Sequence, residues 1–108
     1  VAIRGSPVDV TVERGIDARP AAIDADEPVV EAVIDAAAAV GRDCEPVGFN
    51  AGSDARFLVG DAGIPTAHFG PGTIEDDAHT VGESVAVDDL VDAARIYRGV
   101  LDRSLRVE

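Results

Sequence analysis

Two short stretches hold the side chains of this sequence that could do chemistry. In "HFGPGTIEDDAHTVGESVAV" (68–87) an apolar run enters Gly70-Pro71-Gly72. An acidic loop follows, and His79 stands four residues before Glu83. A neutral imidazole is a common zinc ligand. A carboxylate nearby could take its other ring N–H and fix the tautomer, as Glu83 is placed to do. The alternative is a plain surface histidine in an acidic loop. Zinc needs at least three protein ligands, and no second His or Cys is well placed. Asp76 and Asp77 are ligands by type but read as solvated loop charges in so acidic a chain. His68 lies inside the apolar run and reads as a packed or rim residue.

The second stretch is "NAGSDARF" (50–57). Ser53 at a helix start would expose backbone N–H groups to a carboxylate. Arg56 could grip that carboxylate with two parallel hydrogen bonds. An equal reading makes Ser53 and Asp54 a plain cap and Arg56 a surface ion pair. A serine-hydrolase triad through Ser53 and His79 is rejected. The nucleophile elbow needs Gly at both second neighbours of the serine, and here they are Ala51 and Ala55. Gly70-Pro71-Gly72 reads as a turn that ends a strand. Glycine there would also let backbone approach a substrate, at the strand end where open α/β sheets bind ligands.

These residues need a scaffold. "VDVTVE" (8–13) alternates strictly, with Val8, Val10 and Val12 on one face, and predicts a half-buried strand. Residues 14–26 are irregular, broken by Gly15 and Pro20. "DEPVVEAVIDAAAAVG" (26–41) predicts a helix capped by Asp26, with Pro28 in its first turn and Gly41 at its end. Its stripe is Val29, Val33, Ala36, Ala37 and Val40. "CEPVGF" (44–49) and "IPTAHFG" (64–70) predict short strands. "SDARFLVGDAG" (53–63) predicts a short helix capped by Ser53 and stopped by Gly60 or Gly63. "VDDLVDAARIYRGVLDRSL" (87–105) predicts an amphipathic helix capped by Asp88, with Leu90, Ala94, Tyr97, Leu101 and Leu105 as its stripe. Alternating helices and strands after residue 26 argue for an α/β fold with a mostly parallel sheet flanked by helices.

Composition bounds the class. The 108 residues suffice for one small domain. With four aromatics and no Trp or Met, the core must come from Val, Ala, Ile and Leu. The 21 acids face nine bases, all of them Arg, for a net charge of −12. Such a surface repels phosphate backbones and anionic membranes, which argues against nucleic-acid and lipid partners. Many acids without lysine fit a protein of a salt-adapted organism. Cys44 is the only cysteine, so it reads as a buried reduced thiol without a disulfide. No signal peptide or spanning segment is visible, which points to the cytoplasm.

Taken together, Gly-Ser-Asp-Ala-Arg-Phe (52–57), Ile-Pro-Thr (64–66), Phe-Gly-Pro-Gly (69–72), Ala-His-x-x-x-Glu (78–83) and Val-Asp-Asp-Leu (87–90) resemble one known family. It is the zinc-dependent acetylornithine deacetylase / succinyl-diaminopimelate desuccinylase / aminoacylase / carboxypeptidase family of peptidases and deacylases. The match is close over residues 50–101 and looser over 8–49. The resemblance implies hydrolysis of an amide bond in an N-acyl amino acid or small peptide at a two-zinc centre, with cobalt or manganese as alternatives. His79 would be the final metal ligand, with Glu83 behind it. Ser53, Asp54, Arg56 and the Gly70-Pro71-Gly72 loop would line the substrate pocket. Gly82 stands where the family commonly has Asn.

The family's general base and other ligands match nothing here, so the resemblance implies a C-terminal fragment, inactive alone, of a longer enzyme. Residues 1–14 would be the last strand of a lid domain through which the parent could dimerise. Residues 15–25 would be a linker, and 26–108 the C-terminal part of the catalytic domain. The competing expectation is a non-catalytic α/β binding or assembly module.

Overall fold

The structure is a computed structural model that describes residues 7–73 and 78–106. The described residues form three helices: α1 (Pro28–Ala39), α2 (Ala55–Gly60) and α3 (Val87–Ser104). The scaffold is the antagonism of two local patterns. Helical periodicity is satisfied by α1 packing directly on α3. Strand periodicity is left without a sheet among the described residues.

The termini of α1 follow from its sequence. Pro28 opens the first turn, where no intrahelical donor is needed. The N-cap is Glu27 rather than Asp26, and its side chain makes no cap hydrogen bond. At the other end Gly41 adopts φ +78°. Gly41 N–H then reaches Ala38 O and Arg42 N–H reaches Ala37 O, both at 3.0 Å. This is the paired Schellman closure, which a left-handed glycine permits. The N-cap of α3 is Ala86, so Asp88 lies inside the first turn rather than before it. With Asp89 it still places negative charge at the positive end of the helix dipole.

The core is small. Ala36, Ala37 and Ile96 form its centre, with Val40, Cys44, Phe69 and Val100 packed against them. Gly99 explains the closeness of the pair: a Cβ there would meet the Ala36 Cβ at 3.0 Å. The stripe expected on α3 is corrected by this register. Ala93 (5 % exposed) and Ile96 (3 %) face α1, whereas Leu101 (56 %) and Leu105 (71 %) face solvent with Leu90, and Tyr97 meets Phe69 instead of α1. Small residues win the interface because they let two backbones approach. On α1 the buried set is Val30, Ala36 and Ala37, so Val30 replaces Val29 as the innermost valine.

The expected fold class, a mostly parallel sheet flanked by helices, is overturned. Among the described residues there is no strand and no sheet. Segments 8–13, 44–49 and 64–70 carry the sequence of strands, but a strand is completed only by a neighbour that takes its N–H and C=O groups. Outside the helices, the backbone bonds that join one described residue to another are helix ends and turns, not ladders. The Val8, Val10 and Val12 face accordingly lies exposed. The dimensions agree. The radius of gyration is 19.4 Å and the extents are 65 × 38 × 18 Å, where a compact chain of this length has a radius of about 13 Å.

Candidate active site

Segment 64–70 divides the candidate residues between two sides. Phe69 turns toward the helices: its ring meets Tyr97 edge-on, with centroids 5.4 Å apart and planes at 77°. The Tyr97 hydroxyl donates to the Phe69 carbonyl. The next residues, Gly70-Pro71-Gly72, line a cleft of about 200 Å3 with Arg42, Cys44 and Asp89. Gly72 has φ +86°, the left-handed region in which glycine carries no Cβ penalty.

Arg42 closes one wall of that cleft. Its Nη2 donates to Asp89 at 2.7 Å and its Nε to Asp92 at 2.9 Å. Hydrogen bonds to Asp92 and then Asp89, with their charges, hold the guanidinium above its ordinary pKa. Arg42 therefore stays cationic at any working pH. It ties the end of α1 to the first turns of α3 and is a scaffold group. Cys44 is half-buried and reduced, against the same core.

His68 faces the other side. Its Nε2 lies 2.7 Å from Ser53 Oγ. Its ring stacks on Phe49, with centroids 4.6 Å apart and planes at 28°. Ser53 Oγ also accepts the Ala55 N–H at 3.2 Å. The expected cap is thus realised in part: Asp54 is the N-cap residue by position, while the Ser53 hydroxyl meets the nearby backbone donor. Helix α2 is only six residues long, too short to build a dipole-based anion site. It stops at Gly60, and Gly63 at φ +66° turns the chain onward. Arg56 is half-buried, its guanidinium carbon 4.6 Å above the Phe57 ring. Asp54 is exposed.

His79 is exposed, at φ +61°. It is the one described non-glycine residue with positive φ. Histidine tolerates this region better than most residues, yet the conformation still costs on the order of 1 kcal/mol. Glu83 does reach His79, but its Oε2 accepts the backbone N–H at 3.3 Å rather than a ring N–H. Glu83 N–H in turn donates to Thr80 O at 3.2 Å, closing a tight turn. Asp76 and Asp77 lie outside the described residues.

Sequence reasoning paired Ser53 with Arg56 and set His68 aside as packed or rim. The structure instead joins Ser53 to exposed His68 and adds Phe49. The available signal was alternation: in an extended segment His68 and Phe69 must point to opposite sides. The larger cleft, about 290 Å3, lies between Ala22–Glu27 and Val59–Pro65 and contains none of the candidate residues.

The family model of peptidase family M20/M25/M40 matches residues 3–103. The chain belongs to peptidase family M20/M25/M40. The motifs noted above and this match therefore agree on a hydrolase family. No curated protein and no solved structure matches the chain significantly. M20 peptidases are generally metal-dependent. Among the described residues, no group of three or more His, Cys, Asp or Glu side chains could hold a metal ion. The described part of this M20 chain thus does not fit a complete metal centre. No described helix is long and apolar enough to cross a membrane.

Proposed function

We propose that this chain is the C-terminal part of a metal-dependent amidohydrolase that cleaves the amide bond of an N-acyl amino acid or small peptide. The family match over residues 3–103 carries this reading. Residues 1–14 would close a lid domain through which the parent dimerises, 15–25 would link, and 26–108 would belong to the catalytic domain. The enzyme would work in the cytoplasm of a salt-adapted organism, without nucleic-acid or membrane partners.

In this reading His79 supplies one ligand, to zinc in preference to cobalt or manganese. The remaining ligands and the general base come from polypeptide outside these 108 residues. Three features support His79: the family motif, its exposure, and a backbone strained into the left-handed region by a turn that Glu83 braces. Ser53, Asp54 and Arg56 bind substrate. Gly70, Pro71 and Gly72 set the path of the loop that leads to His79.

The isolated chain would bind metal weakly and hydrolyse nothing. The test is made on the native full-length polypeptide. Wild type is expected to copurify with metal and hydrolyse N-acyl amino acids, and His79→Ala is expected to lose both. Unchanged metal content and turnover in that variant would remove the ligand assignment. Tight, sub-micromolar zinc binding by the isolated chain would contradict the incomplete site.

A further inference from the structure

Ser53 and His68 are fifteen residues apart and meet through side chains alone. The contact contributes nothing to the helix pair. A hydroxyl has one hydrogen and two acceptor positions. Ser53 uses one acceptor position on the Ala55 N–H. The use of the rest depends on the His68 tautomer. With hydrogen on Nε2, Ser53 accepts a second time and its own hydrogen is free for an acceptor. With hydrogen on Nδ1, the serine hydrogen is spent on His68, and the free lone pair suits a donor.

Arg56 chooses between these cases. It lies three residues after Ser53. Its guanidinium stacks on Phe57, and Nη1 lies 3.7 Å from the Cβ position of Gly52, the neighbour of Ser53. Among the described residues Arg56 forms no ion pair, although acids outnumber bases by 21 to nine. A cation over the residue next to Ser53, with no ion pair among the described residues, favours a ligand that accepts hydrogen bonds and carries negative charge.

We infer that His68, clamped on Phe49, is a positioning residue: through Nε2–H it holds the Ser53 hydroxyl with its hydrogen directed to a substrate carboxylate beside Arg56. This rests on the proposed hydrolase reading and deepens it. It adds His68 and Phe49 to the substrate-binding set and states which end of the substrate Ser53 recognises. His68 acts through Ser53 and takes no part in bond breaking. Being exposed, it can be substituted without disturbing the core.

The experiment compares Ser53→Ala, His68→Ala, the double variant and His68→Gln in the full-length, metal-loaded enzyme. Substrates are an N-acetyl amino acid and the same compound as its C-terminal amide. For the acid, Ser53→Ala is expected to raise KM about tenfold or more, with kcat within about twofold. His68→Ala is expected to raise it less. The double variant should resemble Ser53→Ala alone, because a coupled pair is not additive. Gln can donate from the same place, so His68→Gln should recover most of the affinity. The amide keeps a carbonyl acceptor but lacks the charge, so its KM should start higher and each variant should raise it by a smaller factor than for the acid. Additive effects, equal losses on both substrates, or a fall in kcat would overturn the inference.

A second readout does not depend on turnover. The imidazole 15N spectrum of the full-length protein should show His68 protonated at Nε2, and Ser53→Ala should shift it. An Nδ1–H tautomer, or a spectrum indifferent to Ser53→Ala, overturns the pairing by itself. A wild-type enzyme that hydrolyses no N-acyl amino acid would overturn the proposed function instead, with the spectrum still judging the pair.

Discussion

The α1/α3 pair and the segment from Phe49 to Glu83 are held by different physics. The helices satisfy their own backbones, and then bury Ala36, Ala37, Ala93 and Ile96 against each other. The segment carries nearly all the candidate chemistry, and none of its described residues is fully buried. It is placed by single contacts: Tyr97 on Phe69, Ser53 on His68, and Glu83 on the His79 backbone. A scaffold tolerates changes to its solvent side and resists changes at its interface. A laid-on segment does the reverse, because its identity lies in exposed groups.

Four measurements test that contrast, in descending order of effect. His79→Ala should reduce hydrolysis by the full-length enzyme more than about 100-fold, since even groups that merely orient a ligand are worth 10–100-fold. Its helical circular dichroism should not change. An equal loss of both would erase the distinction between the regions. Next, Ile96→Ala should destabilise the fold by about 2–5 kcal/mol, measured by urea denaturation. Leu101→Ser on the same helix should stay within about 0.5 kcal/mol. Similar values for the two would mean that α3 packs through the stripe first read from its sequence.

Third, Gly99→Val should cost about 1–3 kcal/mol by overpacking against Ala36. Gly48→Ala, where nothing lies within 4 Å, should leave stability nearly unchanged. The smallest effect concerns charge. Raising salt from about 0.1 to 1 M shortens the screening length from about 10 to 3 Å. At a net charge of −12 the Tm should rise. Arg42→Gln should lower Tm slightly at low salt and less at high salt. The raised Arg42 pKa adds no pH dependence in the working range. A raised basic group contributes fully below its unfolded pKa and loses that only as pH climbs through its folded one, here far above any working pH. A Tm that falls with salt would count against salt adaptation.

Much of the scaffold was legible. Pro28 and Gly41 bounded α1 because both act through backbone geometry within a few residues. The existence of α3 followed from its period, but its buried face did not. Leu90, Tyr97 and Leu101 are larger than Ala93 and Gly99, yet Ala93 and Gly99, with Ile96, fit more closely against α1. The site was legible in part. His79 stood out by motif, whereas alternation could separate His68 from Phe69 but could not name Ser53, fifteen residues away, as its partner.

What the chain's own letters determined, then, was local: helix ends to within one or two residues, turn glycines, the strand-like alternation of 8–13, the charge, and the motifs of a peptidase family. Each depends on neighbours within about one turn or on composition. The tertiary structure decided which helical face is buried, which side of segment 64–70 meets Ser53, and that the strand-like segments form no ladder among the described residues. Those outcomes depend on what lies opposite, since a pleat or an apolar stripe acquires meaning only from the surface that meets it.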